Sequence, residues 1–153
     1  MHQQHHQRIL VVDDEQAIAD TLTIILRHAG YDAMACYDAG RALEACTALA
    51  PDLLISDVIM PGFTGIDLAI LVQQRCPSTG ILLISGLGIS FDLMEEARRQ
   101  GHHFEILEKP IHPTDLLREV AAALREGSSV QRLQRSLRTT SGSDASGGAM
   151  WTK

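Results

Sequence analysis

The stretch LLISDVIMPGFTGIDL, residues 53–68, opens with LLIS and closes that run on an acid, Asp57. A strand that is apolar at consecutive positions, without alternation, is built to be buried on both faces, as happens in a parallel sheet covered by helices. The signature recurs on either side, as ILVV at 9–12 and ILLIS at 81–85. Weaker runs at 33–36 and 104–107 bring the candidate strands to five.

The segments between them carry a different period. Ile18, Leu22, Ile25 and Ala29 recur at helical spacing, as do Ala39, Ala42, Leu43, Cys46 and Leu49, and later Leu116, Leu117, Val120, Ala121 and Leu124. Each set gives a helix one buried face. Stretches around 66–75 and 91–100 complete five helices with less regular spacing. Gly30, Gly101 and Gly127 are placed just past helix ends, where a left-handed residue is favoured, and Pro113 suits a first turn. Five alternating pairs predict an α/β fold, a doubly wound parallel sheet with helices on both faces.

A chain of 153 residues with 45% apolar content has room for one core. We assign it to residues 8–126. The first seven residues, with His2, His5 and His6, are expected to be a disordered polar terminus. Residues 127–153, rich in Ser, Thr, Gly and Arg, are expected to form a flexible tail. At its start Val130, Leu133 and Leu137, beside Arg132, Arg135 and Arg138, can extend a helix briefly or bind a partner.

Residues 1–126 hold 9 Lys and Arg against 18 Asp and Glu, whereas residues 127–153 hold 4 against 1. An acidic body argues against a nucleic-acid surface on it. Cys36, Cys46 and Cys76 lie far apart in apolar contexts and lack CxxC spacing, so they read as buried thiols of a reducing compartment. No apolar run approaches the roughly 18 residues of a membrane span, and no secretion signal opens the chain. The expectation is a cytoplasmic protein.

Ligands of open parallel sheets bind at the carboxyl ends of the strands. There this sequence places Asp13 and Asp14, then Asp57, then Ser85, then Lys109 followed by Pro110. One Asp at a strand end is ordinarily a cap or turn residue. Three carboxylates at one edge repel one another, and are stable only with raised pKa values or with cations among them. Lys109 supplies one charge, and a hard, oxygen-seeking ion such as Mg2+ suits the remainder. With both present, an ionised Asp57 is a nucleophile for phosphorus whose product is an acyl phosphate.

The set LVVDDE, LLISDVIMPGFTGIDL, LLISG and LEKPIHPTDLL resembles the receiver domain of bacterial response regulators, over about residues 8–126. The resemblance implies a flavodoxin-like sheet in the order 2-1-3-4-5. It implies that Asp57 is the phosphoacceptor, that Asp13, Asp14, Asp57 and the backbone carbonyl of Ile59 hold Mg2+, and that Lys109 contacts the phosphoryl group. It also implies that the Ser85 hydroxyl moves inward to a phosphoryl oxygen, and that the bond before Pro110 is cis. The implied donor is a sensor histidine kinase or a histidine phosphotransfer protein. The listener is a protein docking on the fourth helix, fifth strand and fifth helix, around residues 94–99 and 106–117, with a homodimer as one expected assembly. A tail of this length is short for a DNA-binding output unit, so a stand-alone receiver is expected, with neither nucleic acid nor membrane as partner.

The sequence departs from the family at three places. Where the family carries an aromatic switch, three residues before the lysine, this chain has Ile106. Phe104 is the candidate to replace it, against a plain core role. The segment from Gly101 to Lys109 is one residue longer than usual, which predicts a bulge or longer loop. Ile59 and Leu87, which flank the path of an attacking water in the family, are both apolar, so a long-lived acyl phosphate is expected.

Other functions fit less well. An aspartyl phosphatase needs a second Asp two residues after the first, where Ile59 stands. A flavin or nucleotide binder needs a hydroxyl- and glycine-rich loop after the first strand, where DDEQA would repel phosphate. A receiver signalling without phosphorylation would not need the full acceptor set.

Overall fold

The computed structural model describes residues 6–86 and 91–140, with the backbone alone at 128–135 and 138–140. Strands β1 (Arg8–Val12), β2 (Asp32–Cys36), β3 (Leu53–Asp57), β4 (Gly80–Ser85) and β5 (Glu105–Glu108) alternate with helices α1 (Gln16–His28), α2 (Ala39–Leu49), α3 (Gly65–Arg75), α4 (Phe91–Arg99) and α5 (Pro113–Thr140). All four pairings are parallel. The order is β2-β1-β3-β4-β5, as expected.

β3 lies at the centre and is buried at all five positions, which is what its uninterrupted apolar run requires. Alternate strand residues feed two opposite layers. Ile9, Val11, Leu53, Ile55, Leu82 and Ile84 pack with α1 and α5 on one face. On the other, Leu10, Val12 and Leu54 meet α2 and α3, while Leu83 meets α3 and α4.

Local punctuation explains four of the helix ends. Asp38 caps α2 by accepting from the Arg41 amide at 2.8 Å, and Thr64 caps α3 by accepting from the Asp67 amide at 3.1 Å. Gly30 and Gly101 follow α1 and α4 with φ of +99° and +89°, the left-handed turn their positions predicted.

Several expectations are corrected. The most deeply buried residues of α1 are Ala19, Leu22, Thr23 and Leu26, with Ile18 and Ile25 only partly covered. The Thr23 hydroxyl escapes notice in the pattern because it donates to the Ala19 carbonyl at 2.7 Å, which satisfies it inside the core. Cys46 and Cys76 are buried, but Cys36, at the end of an edge strand, is only partly so. Gly127 does not end α5, which continues to Thr140. A glycine in a helix interior costs only about 1 kcal/mol relative to alanine, too little to stop a helix by itself. The remainder of the tail, like His2 and His5, lies outside the described residues.

The extra residue before the last strand is accommodated in the loop 102–104, and β5 pairs with β4 in unbroken register. Phe104 therefore precedes β5 instead of belonging to it. It is buried with Val58, Ile66, Leu83 and Met94, against which Ile106 also packs, and stacks on His102 with ring centroids 6.1 Å apart.

Candidate functional site

The sheet register brings the strand ends level. Val12 pairs with both Cys36 and Ser56, Asp57 with Ile84, and Ser85 with Glu108. Residues at or just past these positions must share one edge, and Asp13, Asp14, Asp57 and Lys109 do so.

One carboxylate oxygen from each of Asp13, Asp14 and Asp57 falls within 4.8 Å of the others. Asp13 and Asp57 are buried and Asp14 is exposed. Asp13 is held by its backbone amide donating to the Cys36 carbonyl at 3.2 Å, while its Oδ1 accepts from the Glu15 amide at 3.0 Å. Lys109 Nζ reaches Oδ2 of Asp57 at 3.1 Å and Oδ2 of Asp13 at 3.4 Å. Its own backbone amide donates to the Ser85 carbonyl at 2.8 Å, and the Lys109–Pro110 bond is cis, as expected.

Burial, above all, lifts the Asp13 carboxyl above its ordinary pKa of 3.8; the Glu15 amide lowers it, the neighbouring charge of Asp57 raises it and Lys109 lowers it again. Burial of the Lys109 ammonium works toward a lower pKa, but the hydrogen bond and charge of Asp57, then the charge and hydrogen bond of Asp13, carry it above 10.5. Two like charges about 5 Å apart repel by roughly 3 kcal/mol at an effective dielectric near 20. Three carboxylates against one ammonium thus leave negative charge uncompensated. A compact all-oxygen donor set of that kind fits Mg2+.

The loop from β3 to α3 is closed by the Gly65 amide donating to the Val58 carbonyl at 2.8 Å. Within it the Ile59 amide stands 3.4 Å from Oδ1 of Asp57, while the Ile59 side chain is 44% exposed beside the site. Ser85 is buried at the end of β4, with its hydroxyl donating to the Gly86 carbonyl at 2.8 Å. Its hydroxyl is thus at the right edge, turned to its own turn. Ser85 also lines a cavity of 390 Å³ between α4 and β5, with Phe91, Met94 and Ile106 on its walls. Leu87 lies outside the described residues.

Sequence reasoning passed over two neighbours of Asp57. Ser56 is fully buried and donates to the Asp57 carbonyl at 3.0 Å, and Gly65 packs against the same carbonyl. The available signal was a hydroxyl at the end of the apolar run that precedes Asp57.

A doubly wound α/β domain with three carboxylates and a lysine at the carboxyl edge of its sheet is the kind of site that binds a cation and a phosphoryl group. Residues 9–121 match the family described as "Response regulator receiver domain". The chain belongs to that family. It is 34% identical over 119 residues to the DNA-binding response regulator MtrA of Mycolicibacterium smegmatis, covering 78% of this chain and 51% of that one. It is 36% identical over 122 residues to the phosphoglycerate transport system transcriptional regulatory protein PgtA of Salmonella typhimurium, covering 80% of this chain and 29% of that one. The solved receiver domain protein (CheY-like) of Methanospirillum hungatei superposes with a TM-score of 0.74 at 27% identity, over 81% of this chain and 98% of that one. The chain spans about half the length, or less, of these curated relatives. Among the described residues no helix is long and apolar enough to cross a membrane.

Proposed function

We propose that this receiver domain accepts a phosphoryl group on Asp57 from a phosphohistidine of a sensor kinase or phosphotransfer protein, and passes the event to a protein partner. A carboxylate oxygen of Asp57 forms a bond to phosphorus while the bond from phosphorus to the donor nitrogen breaks; the donor ring, protonated on its other nitrogen, leaves as a neutral imidazole and an acyl phosphate remains on Asp57. Asp13, Asp14, Asp57 and the Ile59 carbonyl would hold Mg2+, which supplies positive charge to the phosphoryl oxygens as they transfer. The Lys109 ammonium, bonded to Oδ2 of Asp57 and of Asp13, supplies a second positive charge. The Ser85 hydroxyl takes a phosphoryl oxygen after exchanging its bond to Gly86.

The observation that carries this reading is the convergence of three carboxylates within 4.8 Å, with an ammonium 3.1 Å from the proposed acceptor. Output runs to the face formed by α4, β5 and the start of α5. The cavity at Ser85 supports that route, because a hydroxyl that moves toward Asp57 alters one of its walls. Incubation with acetyl phosphate tests the chemistry: intact mass should gain one phosphoryl group with Mg2+ and none when the ion is chelated. A chain that gains nothing under both conditions contradicts the proposal.

A further inference from the structure

Ser56 has no place in the chemistry above, yet it sits fully buried in the central strand, between Val12 of β1 and Leu83 of β4. A hydroxyl in an apolar layer is costly unless it finds a hydrogen-bond partner. That bond goes to the backbone carbonyl of Asp57, at 3.0 Å.

The same carbonyl is met by the first residue of α3. A Cβ placed on Gly65 would overlap the Asp57 carbonyl oxygen, lie 2.8 Å from its carbon, and stand 3.0 Å from the Ser56 hydroxyl oxygen. Backbone does not yield to such an overlap as the end of a flexible side chain does, so the absence of a side chain at Gly65 is a condition of this geometry. Helix α3 is fixed there independently. The Gly65 amide donates to Val58, and Thr64 exchanges hydrogen bonds with Asp67 at 2.9 and 3.1 Å.

We infer that Ser56 and Gly65 are positioning residues: together they clamp the Asp57 carbonyl, and so set where its carboxylate and the following Val58–Ile59 backbone stand for metal and phosphoryl binding. The inference rests on the reading of Asp57 as phosphoacceptor. Reaction geometry is sensitive at this scale, since a 1 Å misplacement costs about 100-fold in rate. Gly65→Ala must move the carbonyl by about that much to reach an ordinary contact. Ser56→Ala frees it without pushing it, and the loss of one hydrogen bond corresponds to about fivefold.

The test uses the full chain with acetyl phosphate as donor. Phosphorylation rate is followed by intact mass across a Mg2+ series, Mg2+ affinity by calorimetry, and folding by thermal melts. The variants are Ser56→Ala, Ser56→Thr and Gly65→Ala, with Gly40→Ala of α2 as control. We expect Gly65→Ala to fall about 100-fold and Ser56→Ala about fivefold, both with weaker Mg2+ binding. Ser56→Thr, which keeps the hydroxyl, and Gly40→Ala should react as the wild type does. A Ser56→Ala protein with wild-type rate and Mg2+ affinity, or with a lowered Tm alone, overturns the inference. If Gly65→Ala does not fold, the Ser56 pair still decides. A wild type that takes no phosphoryl group instead defeats the proposed function, and the calorimetry then judges the clamp by itself.

Discussion

Lys109 and Asp57 stand 52 positions apart in the chain, and their side chains meet at 3.1 Å, with the lysine side chain only 24% exposed. The same ammonium reaches the still more deeply buried Asp13 at 3.4 Å. A single cation thus bridges two carboxylates that would otherwise face each other out of water.

Removing that cation should expose the repulsion. Lys109→Met takes from Oδ2 of Asp13 and Oδ2 of Asp57 the charged donor they share, and the loss of charged hydrogen bonds of this kind is worth about 2 kcal/mol. In chelator at pH 7 the variant should melt several degrees below the wild type, and Mg2+ should restore part of the difference. Because the folded pKa of Lys109 is raised above 10.5, its contribution is present in full below that value and is lost only as pH climbs through the folded one.

Asp13 has the opposite sign. Its carboxyl is lifted above 3.8 mainly by burial, so between 3.8 and its folded value the folded state binds more protons than the unfolded state. Stability therefore falls as pH rises through that window, and the cost persists above it. In chelator, Asp13→Asn should melt above the wild type at pH 7 and level with it below pH 3.8. Mg2+ should raise the wild type and leave the variant unmoved.

Phe104 separates a switch from a core role. It is buried among Val58, Ile66 and Met94, ahead of the last strand. Phe104→Ala should cost about 3 kcal/mol in denaturant unfolding, as removal of a buried ring does. A loss under about 0.5 kcal/mol, typical of surface positions, would show that the ring is not part of the core.

Ile59 bears on lifetime. Its exposed side chain stands beside Asp57 and has no group to orient or deprotonate water. After removal of donor, the acyl phosphate should decay slowly, and Ile59→Glu should shorten its half-life about tenfold. An unchanged half-life would assign the control of hydrolysis elsewhere.

What the sequence makes legible follows from how local each cause is. The central strand could be read from LLIS because burial on both faces leaves no alternation. The acid edge could be read because parallel strands end together. Thr23 was passed over because a hydroxyl bonded within its own helix behaves as apolar, and Gly127 was misread as a helix end because a glycine without a left-handed φ is only a weak breaker. Phe104 fell outside β5 because the extra residue went into the preceding loop, which no periodicity records. Ser56 and Gly65 were invisible as a pair because their contact joins a strand to a helix nine residues later.

The most direct test locates the phosphoryl group. Wild-type protein treated with acetyl phosphate and Mg2+, reduced with borohydride to convert the acyl phosphate into an alcohol, and then mapped by peptide mass should carry the change at Asp57. Asp57→Asn should carry none. A change found instead at Asp13 or Asp14, or labelling of Asp57→Asn to the same extent as the wild type, would contradict the account.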